Sequence, residues 1–243
     1  MGLLAEGTHE PFVERVTIRS ADGTTVPTIH ARPEGLPLGG LVLVTDIMGV
    51  RELFDDTARR LASHGLAVAA PEPFAHVPGY ESLDANARMA QMKDLVDDVQ
   101  LDDLARAADL LVVEDDVSDV AVLGFCMGGM YTLKAAATGR FDRAVAFYGM
   151  ICLPDAWRGP RQRDALDTAA DTCPTLAIFG GDDPFTPTED IDALRAAFAG
   201  LPDHEVVVYP GAQHGFVHAP DRDAHRPDDA ADAWRRALSF LLG

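Results

Sequence analysis

Short apolar runs alternate with helix-patterned stretches along most of this chain, and that order leaves few folds open. "GLVLVTDI" (40–47), "LAVAAPE" (66–72), "DVAVLGF" (119–125), "RAVAFYG" (143–149), "TLAIFGG" (175–181) and "EVVVYPG" (205–211) each read as a buried strand. Between them Leu53, Phe54, Ala58 and Leu61 recur at helical spacing, as do stretches 88–113 (with a break near Asp97-Asp98), 127–139 and 189–198. A final helix places Trp234, Leu238 and Leu241 on one face. Two successive strands near 13–19 and 25–31, joined by "ADGT", predict an antiparallel start. The expectation is one α/β domain over 1–243: a mostly parallel, doubly wound sheet of seven or eight strands with helices on both faces. Stretch 150–172 has no clear period and is the longest irregular piece.

Charge and cysteine usage narrow the function classes. With 20 Lys+Arg against 39 Asp+Glu, the net charge is −19, which repels phosphate backbones and anionic membranes. Neither nucleic acid nor a membrane is therefore expected as a partner. No run approaches the 18 apolar residues of a membrane span, and the first residues lack the pattern of a signal peptide. Three widely spaced cysteines, Cys126, Cys152 and Cys173, argue against a disulfide framework and against a zinc site. A reducing cytoplasm is the expected location.

In doubly wound α/β proteins the chemistry sits just past the carboxyl ends of the strands. Those ends here carry Asp46-Ile47, Glu72, Gly124-Phe125-Cys126, Tyr148-Gly149, Asp182-Asp183 and His214-Gly215. A cysteine, a carboxylate and a histidine at three separate strand ends fit a nucleophile, an orienting acid and a base. "GFCMG" supplies a sharp strand-to-helix turn, in which Gly124 and Gly128 leave room and the side chain of Cys126 stands above the sheet. The N-terminus of the following helix favours a thiolate, and the N–H of Met127 is placed for an oxyanion. The alternative reading of Cys126 is a small packing residue without reactivity. Residue chemistry alone does not separate Asp183 from Asp182.

"GFCMGG", "GGDDPFTP" and "GAQHGF", together with "DIMGV" and "APEPF", resemble the dienelactone hydrolase family of α/β-hydrolases from about residue 41 to the C-terminus. The resemblance implies that Cys126 is the nucleophile, His214 the base and then acid, and Asp183 the residue orienting the imidazole. It implies an oxyanion hole from the N–H groups of Ile47 and Met127, and no cofactor or metal. Where the family carries a Glu that activates the resting nucleophile, this chain has Asp46, which reads equally as a helix cap. Where dienelactone-cleaving members carry two arginines for a substrate carboxylate, local alignment places His76 and His218, read alternatively as exposed loop histidines. Tyr148 is a third substrate-binding candidate.

The implied activity is hydrolysis of a small-molecule ester or lactone through a thioester, by a monomer or small homo-oligomer, with a specificity shifted away from anionic substrates. Acyl transfer or thioesterase activity at the same site, and a non-catalytic thiol that binds ligand or senses oxidants, are the competing readings.

Overall fold

Hydrophobic residues alternate along each central strand and sort the core onto two faces. The strands are β1 (Pro11–Arg19), β2 (Thr25–Pro33), β3 (Gly39–Val44), β4 (Leu66–Pro71), β5 (Val120–Phe125), β6 (Ala144–Phe147), β7 (Thr175–Gly180) and β8 (Glu205–Tyr209). In the computed structural model, which describes residues 4–243, all eight form one sheet in the order β1-β2-β4-β3-β5-β6-β7-β8. β1 pairs antiparallel with β2, and β2 antiparallel with β4; every other neighbour is parallel. The expected antiparallel hairpin is present, closed by Gly23 at φ 89° and by a Thr24 N–H bond to Asp22 Oδ1 of 2.8 Å.

The described residues form six α-helices, α1 (Glu52–Ser63), α2 (Ala85–Gln91), α3 (Asp97–Glu114), α4 (Met127–Ala136), α5 (Thr188–Phe198) and α6 (Pro227–Leu242), of which all but the short α2 pack on the sheet. Leu41, Leu43, Leu123, Phe125, Val145 and Phe147 point to the face packed by Phe54 and Leu61 of α1 and Trp234 of α6. Val42, Val44, Val120 and Val122 point the opposite way, against Leu104 and Leu111 of α3 and Met130 of α4. This two-sided burial is why the inner strands are continuously apolar. The break between α2 and α3 falls at Leu95 and Val96, immediately before the aspartates that mark it in the sequence.

The irregular stretch 150–172 contains two 3₁₀ turns, Asp155–Trp157 and Ala165–Asp171. A buried carboxylate helps fasten it to the body, alongside the Gln162 amide bond to Met92 O at 2.6 Å. Asp97, at the start of α3, receives Lys134 Nζ at 2.8 and 3.0 Å and the Arg163 N–H at 2.9 Å, while its own N–H donates to Arg161 O. Lys134 and Asp97 are each 1% exposed in their side chains. Burial pulls the Lys134 ammonium below its ordinary pKa, and the Asp97 charge opposes that shift. No helix among the described residues is long and apolar enough to cross a membrane.

Removing one partner of a buried pair strands the other charge. Asp97→Asn is therefore expected to lower unfolding free energy by about 3 kcal/mol, read from the urea midpoint, with partial recovery in the double variant Asp97→Asn/Lys134→Met.

Candidate active site

The turn between β5 and α4 holds Cys126 at φ 58° and ψ −120°, a left-handed conformation that a residue with a Cβ rarely adopts. The surroundings over-determine it. The Cys126 N–H donates to Phe147 O at 3.0 Å, and Cys126 O accepts from Met130 N at 3.0 Å inside the first turn of α4. A Cβ at Gly124 would lie 2.3 Å from Gly128 O, and one at Gly128 would lie 2.3 Å from both Val44 O and Thr45 O. Both glycines are thus required by close backbone approach, and α4 sits hard against the end of β3.

The loop after β7 carries Asp183, whose side chain is fully buried, and the loop after β8 carries His214. Asp183 Oδ2 bonds His214 Nδ1 at 2.7 Å, while its Oδ1 accepts the Phe185 N–H at 2.9 Å. Neighbouring Asp182 is exposed, with no comparable contact to the imidazole. His214 Nε2 is buried without a hydrogen-bond partner, and Cys126 is near enough to act on the ring electrostatically. Burial opposes the imidazolium, but the bond to Asp183 and the interaction with Cys126 outweigh it and push the His214 pKa up to about 10. A raised folded pKa adds stability that is complete below the ordinary histidine value and is lost as pH climbs through about 10.

Ile47 and Met127 flank this point from the two strand ends, β3 and β5. Neither backbone N–H donates to a protein acceptor among the described residues. Asp46, however, is fully engaged elsewhere: its Oδ1 takes Arg51 Nη1 at 2.6 Å and the Met48 N–H at 2.9 Å, and its Oδ2 takes Arg51 Nη2 and His218 Nε2, both at 2.8 Å. No hydrogen bond joins Asp46 to Cys126. Burial would raise its pKa, but the bonds from His218 and Arg51 dominate and hold the carboxyl far below the usual range.

The two histidines expected to line a substrate pocket are placed differently. His76 is held between Asp103 of α3 (2.8 Å) and Asp22 of the β1–β2 turn (3.2 Å). The loop after β4 runs toward that flank because Phe74 is buried in the core face under α3. His218 is not an exposed loop residue either. It is 2% exposed, stacked 5.0 Å from the Phe125 ring, and accepts the Tyr148 hydroxyl at Nδ1. Tyr148 is fully buried at φ 38°, with its ring 5.2 Å edge-on from His214.

Three further residues stand around this site, to which the sequence alone assigns no catalytic or binding role. Glu72, at the end of β4, bonds the Val50 N–H at 2.8 Å and Arg88 Nη1 at 3.0 Å, bracing the loop that carries Ile47. Its strand-end position was the one available signal. Phe185 packs edge-on against His214 at 5.0 Å, and Trp157 covers Phe185 at 5.2 Å, so the irregular stretch reaches the site. Cys152 and Cys173 are free and half-buried, and burial pushes each thiol up to about 11.

A strained cysteine turn after β5, a buried aspartate after β7 and the histidine bonded to it after β8 lie on an eight-stranded, mostly parallel sheet of the α/β-hydrolase kind. The family model "Dienelactone hydrolase family" matches residues 26–242, and the chain belongs to that family, whose members are hydrolases of the carboxylic ester and lactone class. Among its relatives, a "Putative carboxymethylenebutenolidase" of Escherichia coli K12 is 33% identical over 96% of this chain and 88% of its own length. The "Carboxymethylenebutenolidase" of Rhodococcus opacus is 30% identical over 89% of this chain and 85% of its own. The crystal structure of a putative dienelactone hydrolase from Klebsiella pneumoniae superposes with a TM-score of 0.87 at 30% identity, covering 96% of this chain and 99% of that one.

The imidazole carries a test of this geometry. In an NMR titration the His214 ring is expected to protonate near 10 in the wild type. Its midpoint should fall in Cys126→Ala and fall further in Asp183→Asn, because the Asp183 bond is the largest raising contribution.

Proposed function

We propose that this chain, acting as a single unit over 1–243 in the cytoplasm, hydrolyses small neutral esters or lactones through Cys126, His214 and Asp183. The observation that carries the reading is the buried Asp183–His214 pair set beside a cysteine held at φ 58°. A raised His214 pKa means that the imidazole holds a proton at neutral pH, available to a leaving group.

The thiolate attacks the carbonyl carbon, and the developing oxyanion is received by the unpaired N–H groups of Ile47 and Met127. Collapse expels the alkoxide, which takes the proton from His214 Nε2 and leaves a thioester on Cys126. The now neutral His214 draws a proton from water as that water attacks the thioester, and the carboxylic acid and the thiolate are released. Asp183 keeps Nδ1 protonated throughout and so keeps Nε2 aimed at the reacting atoms.

The shift in specificity rests on the two histidines. His76 is occupied by Asp22 and Asp103, and His218 by Asp46 and Tyr148, so neither offers a substrate carboxylate the fixed double donor of an arginine.

Cys126→Ala is expected to abolish hydrolysis of an activated aryl ester while leaving circular dichroism unchanged; full activity would remove the mechanism. Asp183→Asn should lower kcat by about 10²- to 10⁴-fold with little change in KM, since it disables the proton-transfer group. On the wild type, kcat/KM for a neutral aryl ester should exceed that for an anionic dienelactone.

A further inference from the structure

Asp46, His218 and Tyr148 form one continuous buried chain of hydrogen bonds, which the partly exposed Arg51 extends toward the surface, and the proposed reaction uses none of their side chains. Arg51 grips both carboxylate oxygens of Asp46, at 2.6 and 2.8 Å. Asp46 Oδ2 bonds His218 Nε2 at 2.8 Å, and His218 Nδ1 bonds the Tyr148 hydroxyl. Every proton in the chain has a defined place. Asp46 is ionised and can only accept, so His218 Nε2 must carry the hydrogen; Nδ1 is then bare and must accept from Tyr148. Burial lowers the His218 pKa and keeps the ring neutral, as this arrangement requires.

The two ends of the chain sit at the two halves of the oxyanion hole. Asp46 directly precedes Ile47, and its carboxylate and carbonyl close the turn by accepting from Met48 N and Gly49 N, each at 2.9 Å. Arg51 also donates to Gly49 O at 3.1 Å, closing the same loop from its far side. At the other end Tyr148 follows Phe147, whose carbonyl holds the Cys126 N–H at 3.0 Å and hence the elbow that presents Met127. Tyr148 is held in the left-handed region at φ 38°, a strained backbone that delivers its hydroxyl toward His218.

We propose that Asp46, His218 and Tyr148 are positioning residues that fix the separation of the Ile47 and Met127 N–H groups, so that Asp46 serves the oxyanion and not the thiol. This inference rests on the Cys126 reading above and assigns the carboxylate at this position a task other than activating the nucleophile. Oxyanion donors act only where charge develops, so their displacement costs transition-state binding and spares substrate binding.

The test compares two reactions of the same thiol. Acylation by an activated ester builds an oxyanion; alkylation by iodoacetamide displaces iodide at a saturated carbon and builds none. His218→Leu is expected to slow acylation by about 10- to 100-fold through kcat with KM little changed, while alkylation of Cys126 stays within about twofold. His218→Gln, whose amide reaches Asp46 in place of Nε2, should recover about tenfold of that loss. Tyr148→Phe removes a single oxygen and should show a milder form of the same split; it carries the test if His218→Leu does not fold. Acylation unchanged in both variants overturns the proposal, and so does alkylation falling in parallel with acylation, which would put the chain's effect on Cys126 or His214. Failure of the underlying reading looks different: undiminished hydrolysis in Cys126→Ala.

Discussion

A cysteine at φ 58° is the constraint around which the rest is arranged, because its first-turn bond to Met130 N does not by itself offset a left-handed backbone. It holds only because β3, β6 and α4 converge on it at van der Waals limits. Gly124 meets the backbone of α4, and Gly128 meets the last carbonyls of β3. The cost of the strained residue, of order 1–3 kcal/mol, is small beside the burial of the two apolar sheet faces that force the convergence. The elbow is thus a product of the whole core. Disturbing how α4 lies on the sheet would release the strain before it unfolded anything.

Two histidines four residues apart show how the same burial produces opposite proton chemistry. His214 faces Asp183 on one side and a thiol on the other, so both neighbours favour its charged form. His218 is deeper, with Arg51 and Arg222 acting against a second positive charge, and burial prevails over Asp46. One ring therefore stores a transferable proton, while the other has its single proton committed to a fixed bond. Spacing in the sequence distinguishes neither; the elements that pack against each ring do.

The inner strands were legible because β3 to β7 bury both faces and leave a nearly uninterrupted apolar signature, the edge hairpin because of its turn residues, and the helix break because of residue spacing. The strand-end positions of Cys126, Asp183 and His214 could be read from the sequence as well, since topology fixes where strand ends meet, and the structure joins Asp183 to His214. Contacts that depend on tertiary partners were not. His76 finds its carboxylates 54 and 27 residues away, and His218 finds Asp46 at a separation of 172, distances over which side-chain type carries no pairing information. Asp46 matched a family position by alignment, yet with a shorter side chain and an adjacent Arg51 it is tied into the loop itself. Glu72 and Arg88 were invisible as a pair because their burial is set by Phe74 and Tyr80, whose rings lie against the guanidinium.

The irregular stretch bearing Trp157 shows no period in its sequence, yet its Arg163 N–H and Arg161 carbonyl are both tied to Asp97 at the start of α3, whose carboxylate also holds Lys134 of α4. A rim held in that way inherits the stiffness of the core. Trp157 and Phe185 stand beside His214 on that rim, so a change in how Asp97 is held reaches the imidazole through the packing of these two rings.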